Sequence, residues 1–197
     1  MSQSNMLELL DKIKTDFYTV EPKNTFFKNS QKAKVAEEIT SYINIYDLLK
    51  CTIYIIPNTN RVYLDYPLLK QYANSNNYAE VVNYVIAVLT QCTQMYGQYE
   101  LHIDLKGFTI SAAERYKLAI QLFCSKCSSN TEFATLLIHI YIYNTPSMIE
   151  SITRLFAPFI DPVIPKKLVY LSKTDSPQLL EQLLQPQLVM QQSTSSV

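Results

Sequence analysis

Cys124 and Cys127 stand three residues apart in the run CSKC, the spacing of a redox pair or of half a zinc site. Such a pair becomes reactive where a helix N-terminus lowers the thiol pKa. Here the surrounding pattern places it at a helix C-terminus, where the dipole acts in the opposite sense. No second CxxC completes a tetrahedral zinc set. Both thiols are therefore expected to be structural and, like Cys51 and Cys92, reduced. His102 and His139 lie among apolar neighbours in strand-like runs, which suits hydrogen-bonded strand histidines better than a catalytic pair. Asp104 ends a strand just before Leu105-Lys106-Gly107. Carboxylates at the C-terminal ends of parallel strands often face a binding crevice, so Asp104 is the best candidate for enzyme chemistry. With no partner base or metal ligand in view, it reads instead as the acceptor that fixes the turn ahead of Gly107.

G-x-S-x-G and H-E-x-x-H are both absent. Only two glycines occur, Gly97 and Gly107, which excludes every glycine-rich phosphate loop. No enzyme, metal site or cofactor is expected. The charges balance at 17 basic and 17 acidic residues, and no basic block stands out, against nucleic-acid binding by phosphate neutralisation. The start of the chain lacks a charged stretch followed by an apolar one, as a signal peptide would have. No run approaches the ~18 apolar residues of a spanning helix. The expected location is cytoplasmic, with any membrane contact peripheral. At 48% hydrophobic residues, the chain can bury a core.

These residues need elements to position them. Residues 4–16 read as a short amphipathic helix on Met6, Leu9, Leu10 and Ile13. Residues 21–30 read as a linker and 31–49 as a second helix. CTIYII and RVYLD flank PNTN as a hairpin. A long helix runs from Tyr78 to Tyr96, with Gly97 at its stop. YELHIDLKGFTI follows as a strand. Ser111 and Glu114 form a capping box for a helix reaching about Cys127. TLLIHIYIY is apolar at nearly every position, as in strands buried on both faces of a parallel sheet. Strand–helix repetition from residue 99 onward predicts right-handed βαβ units. KLVYL is the last strand. SPQLLEQLL is a short helix with Pro177 in its first turn.

Between the last two strands lies a helix over residues 147–160. Its apolar side carries Met148, Ile149, Ile152, Leu155, Phe156, Phe159 and Ile160, and Arg154 is its only cation. Packing on the sheet is the simplest use of such a stripe. A pocket lid, turning one face to a greasy ligand and able to swing out, would look the same.

Three runs in order make the chain recognisable: HIDLKGFTISAAERY with a strand ending D-L-K-G, IYIYNTP with a strand ending N-x-P, and RLFAPFIDPV followed by a lysine before a strand. Together they resemble the CRAL-TRIO lipid-binding domain, in particular that of the phosphatidylinositol transfer proteins. Residues 99–172 carry the likeness. It extends more loosely back to NTNRVYLDY and forward to about Met190.

The resemblance implies an α/β fold, a mixed but mostly parallel sheet flanked by helices, with a gate helix over an apolar pocket. Its pocket would be lined by Leu101, Ile103, Ile140 and Ile142 from the strands and by Met148, Ile152, Leu155, Phe156 and Phe159 from the gate. Lys167 falls on the family lysine that contacts the inositol phosphate. Thr135 replaces the glutamate that assists it. On the strand that supplies hydroxyls to a choline headgroup, Tyr99 keeps one and Leu101 does not. Residues 1–45 stand for a short helical N-terminal region, 46–190 for the lipid domain and 191–197 for a disordered tail. The expected function is non-enzymatic binding or transfer of a single lipid or other hydrophobic molecule, with transient contact to a membrane surface. The alternative is a protein-interaction scaffold, as in divergent family members that hold small GTPases. Ser195-Ser196-Val197 also fits the pattern of a C-terminal PDZ ligand, although a solvated end is the simpler reading.

Overall fold

The computed structural model describes residues 3–23, 26, 28–129 and 132–185; the predicted tail lies outside them. A five-stranded sheet runs in sequence order: β1 (Ile53–Ile55), β2 (Arg61–Asp65), β3 (Tyr99–Asp104), β4 (Leu137–Tyr143) and β5 (Leu168–Tyr170). β1 and β2 form the expected antiparallel hairpin, and every later neighbour is parallel. Asn58 takes the left-handed conformation that the hairpin turn needs, at φ 59°. The fold is therefore α/β with a mixed, mostly parallel sheet, as expected.

The helices are α1 (Gln3–Val20), α2 (Lys28–Tyr42), α3 (Ile45–Thr52), α4 (Tyr66–Tyr72), α5 (Tyr78–Tyr96), α6 (Ile110–Ser128), α7 (Glu132–Leu136), α8 (Ile149–Phe156) and α9 (Ser176–Leu184). α5 ends where Gly97 enters the left-handed region at φ 74° and returns its N–H to Thr93. Five expectations shift. α1 is longer than read. α2 begins inside the expected linker. The single helix predicted over 31–49 is two, because the Asn44 side chain caps the Tyr46 N–H and restarts the chain as α3. The cap of α6 is Thr109, whose hydroxyl accepts from the Ala112 N–H, so Ser111 already lies inside the helix. The run before β4 is helical through Leu136, which removes Thr135 from the strand.

Successive right-handed crossovers in one direction place the connecting helices on one face of the sheet. The packing agrees: α5 lies against α6, and α6 against α8. Register assigns Ile53, Val62, Leu64, Leu101, Ile103, Ile140 and Ile142 to that face. Buried residues of α5 and α6, including Val85, Leu89, Ala112 and Tyr116, complete the core. Met6 and Leu10 of α1 and Val35 and Ile39 of α2 join the same cluster. The opposite face carries Tyr54, Arg61, Tyr63, Glu100, His102, Asp104, Tyr141 and Tyr143, none of which belongs to either apolar cluster. Contrary to expectation, β4 is not buried throughout on both faces: Ile138–Tyr141 are half-buried, while Leu137, Ile142 and Tyr143 are buried.

Candidate functional site

The expected lid is α8 and a 3-10 turn at Ala157–Phe159. Its stripe closes downward: Ile152 and Phe156 are buried against Ala113 of α6, with Leu155, Phe159 and Ile160 packed around them. This cluster is distinct from the main core. The two are bridged by Phe108 and Ile120, which touch both. Met148 departs from the stripe and is 51% exposed. On the sheet, Leu101, Ile103 and Ile140 pack into the main core, while Ile142 is buried just outside it. The strand and lid residues expected to line one pocket therefore fall into two adjoining clusters, with α6 between them.

The predicted polar residues meet around α7, and their chemistry is taken up there. Lys167, at the end of a 3-10 turn over Ile164–Lys167, donates its ammonium to the Ala134 oxygen at 2.8 Å and to the Leu137 oxygen. Cations suit such orphan carbonyls at a helix C-terminus. The Tyr99 hydroxyl donates to the Phe133 oxygen at 3.0 Å, and burial pushes its pKa up. Thr135 is exposed on the same helical turn. Main-chain acceptors such as these leave no trace in side-chain identity.

The far face of the sheet holds a polar network that composition alone did not reveal. His102 is 4% exposed. Its Nδ1 lies 2.9 Å from the Tyr143 hydroxyl, and its ring stacks on Tyr141 at 4.7 Å. Its Nε2 has no hydrogen bond and stands 3.6 Å from the Glu100 carboxylate, which also holds Arg61 at 3.2 Å. Burial outweighs that carboxylate and lowers the imidazole pKa to about 4. Asp104 takes the bland role expected of it: its Oδ1 accepts from the Lys106 N–H and from the Asn144 amide. His139 is half-buried on β4.

Hollows on the described surface include the following two. One, about 570 Å³, runs along α1 past Asp11, Tyr18 and Lys23. The other, about 410 Å³, opens at the carboxyl ends of β3 and β4, between the starts of α6 and α8. Neither lies between α8 and the apolar sheet face. Cys124 and Cys127 sit at the C-terminal end of α6, free and half-buried, with burial pushing the Cys127 thiol up to about 12. Among the described residues no group of histidine, cysteine and carboxylate side chains could hold a metal ion.

The family model described as the CRAL/TRIO domain matches residues 36–192, well over half of the 197-residue chain. Among solved structures 17 chains match. One, titled "Crystal structure of Sfh5", aligns with a TM-score of 0.48 and 16% identity over 82% of this chain and 68% of that one. Curated protein sequences give no match.

Proposed function

We propose, from the premise that this chain belongs to the CRAL/TRIO domain family, that it binds one lipid or other apolar molecule beneath α8, without making or breaking a bond. The family read from the D-L-K-G, N-x-P and RLFAPFIDPV runs is the family that the comparison returns. The observation that carries the reading is the separateness of the lid cluster. Ala113, Ile152 and Phe156 form a small apolar group of their own, so α8 can lift from α6 while the buried members of the main core stay packed.

Magnitudes favour displacement by a ligand. Exposing Ile152 and Phe156 costs roughly 1.5–3 kcal/mol each, whereas an acyl chain gains ~0.8 kcal/mol for every methylene it buries. About eight methylenes already outweigh the opening. Leu155, Phe156 and Phe159 would then turn from α6 to the ligand, with Phe108 and Ala113 behind it. Headgroup selectivity should be weak. Lys167 is the cation a phosphate would meet, and it must first leave the carbonyls of Ala134 and Leu137. Exchange of ligand would take place at a membrane surface, consistent with a cytoplasmic, peripheral protein.

The test is mass spectrometry of organic extracts from the purified protein, together with uptake from vesicles of phosphatidylcholine and phosphatidylinositol. One lipid per chain is expected. Empty extracts and no uptake would favour the second reading, a scaffold for a protein partner. That alternative rests on the engagement of Tyr99 and Lys167 by the α7 main chain, which leaves neither group poised for a headgroup.

A further inference from the structure

We infer that α9 is a strap on the lid: the Ser176 hydroxyl at its start holds the hinge residue Asn144, and loosening α9 frees α8. Its effect on ligand exchange rests on the lid reading; the coupling of α9 to α8 does not. β4 ends at Tyr143, and residues 144–148 lead from it to α8. Asn144 is 9% exposed and takes the left-handed conformation at φ 51°. Asparagine tolerates that region better than most residues, but only where its surroundings hold it there. Three neighbours do so. The Asn144 side-chain amide donates to Asp104 at the end of β3, at 2.7 Å. Its main-chain N–H donates to the Ser176 hydroxyl oxygen, also at 2.7 Å. The next N–H, of Thr145, donates to the Leu171 oxygen just past β5, at 3.1 Å. Pro146 is buried, and there the hold ends, for Ser147 and Met148 are exposed. The lid pivots beyond Pro146 while Asn144 stays fixed.

Of the three holds, two come from the sheet and its strand ends, and only Ser176 comes from a helix. Ser176 is fully buried. Its hydroxyl donates to the Ser172 oxygen, which leaves its lone pairs free to accept from Asn144. The rest of α9 is lightly packed. Ser176 is the one buried residue of the helix. Leu180 and Leu183 are half-buried, Leu179 is 36% and Leu184 39% exposed, and none of the four belongs to either apolar cluster. A helix so held opens at a low free energy. When α9 leaves, the Asn144 N–H loses its acceptor inside a buried site, which is costly unless the backbone there rearranges. The left-handed residue loses a support at the same moment. Both effects favour a relaxed hinge, and hence a lifted α8. Such coupling is reciprocal, so a lid lifted for ligand exchange loosens α9 in turn.

Native-state hydrogen exchange of the lipid-free protein tests the coupling. Ser176→Ala removes the acceptor. Leu180→Pro breaks α9 further along while leaving the Ser176 hydroxyl in the chain. Each should speed exchange of the α8 amides about fivefold or more. A role in stability alone would speed the β3 amides, which open with the whole fold, and leave those of α8 as they are. Melting temperatures report whether each variant folds; should Ser176→Ala fail to fold, Leu180→Pro decides. The proposal is overturned if the α8 amides of a folded variant exchange at the wild-type rate. Exchange of a fluorescent lipid, measured on the same proteins, should quicken in both variants. A wild-type protein that takes up no lipid would count against the lid reading, while the coupling stands or falls on hydrogen exchange.

Discussion

The ammonium of Lys167 donates to the main-chain oxygen of Ala134 at 2.8 Å across 33 positions of sequence, tying the turn before β5 to the end of α7. A lysine expected to meet an inositol phosphate is, in this structure, a helix cap supplied from a distance. A charged hydrogen bond of this kind contributes about 1.5–3 kcal/mol. Lys167→Ala should therefore lower the melting temperature by about 3–8 °C. It should change the ratio of phosphatidylinositol to phosphatidylcholine bound by less than about threefold, against the tenfold that 1.4 kcal/mol represents. Calorimetry and a competitive loading assay read the two effects separately. A large preference for phosphatidylinositol that persisted in the variant would put the headgroup elsewhere.

The two apolar clusters predict unequal responses to truncation. Leu89→Ala removes a fully buried side chain from the main core and should cost about 2–5 kcal/mol of global stability. Phe156→Ala acts on the small cluster under α8. It should speed exchange of a fluorescent lipid while lowering global stability by less than Leu89→Ala does. In native-state hydrogen exchange the amides of α8 should open at a lower free energy than those of β3. Equal protection of α8 and β3 would mean that the lid does not move independently.

Acid should weaken the fold through His102. Its pKa is held to about 4 in the folded chain, against about 6.5 when unfolded, so the native state favours the neutral ring. Stability from this site is complete above about pH 6.5 and is lost as pH falls from there toward 4, by up to about 3 kcal/mol. Denaturation midpoints measured across that range should fall more steeply for wild type than for His102→Gln. Parallel curves would show that Glu100 takes up the proton's charge without cost.

Cys124→Ser with Cys127→Ser should leave lipid loading unchanged. Burial pushes the Cys127 thiol up to about 12 and raises that of Cys124 as well, so neither is a thiolate near neutral pH. Iodoacetamide should modify both slowly. Loading that depended on oxidant would contradict this.

The sequence was legible where local pattern and tertiary role coincide. α5 and its Gly97 stop, the β1–β2 hairpin and the parallel order of β3, β4 and β5 all follow from periodicity and punctuation. α4 was missed although Asp65-Tyr66-Pro67 carries its signature: the Asp65 carboxylate caps the Leu68 N–H at 2.8 Å, and Pro67 sits in the first turn. Thr109 and Ser111 compete as caps by identity, and only the backbone shows that Thr109 is the extended residue. The partition of the expected pocket is a fact of packing. Ile103 and Ile152 both read as apolar and inward, yet α6 stands between their clusters. Likewise no pattern in side-chain types announces that Lys167 will find carbonyls.

Native mass spectrometry after incubation with mixed phospholipid vesicles tests the central claim most directly. A lid over a single apolar site predicts one new species, heavier than the bare chain by one lipid, that saturates at one ligand per chain. It should form more readily when Phe156 is replaced by alanine. A spectrum showing only the bare chain at every lipid ratio, or several lipids added without saturation, would contradict a lid over a single site.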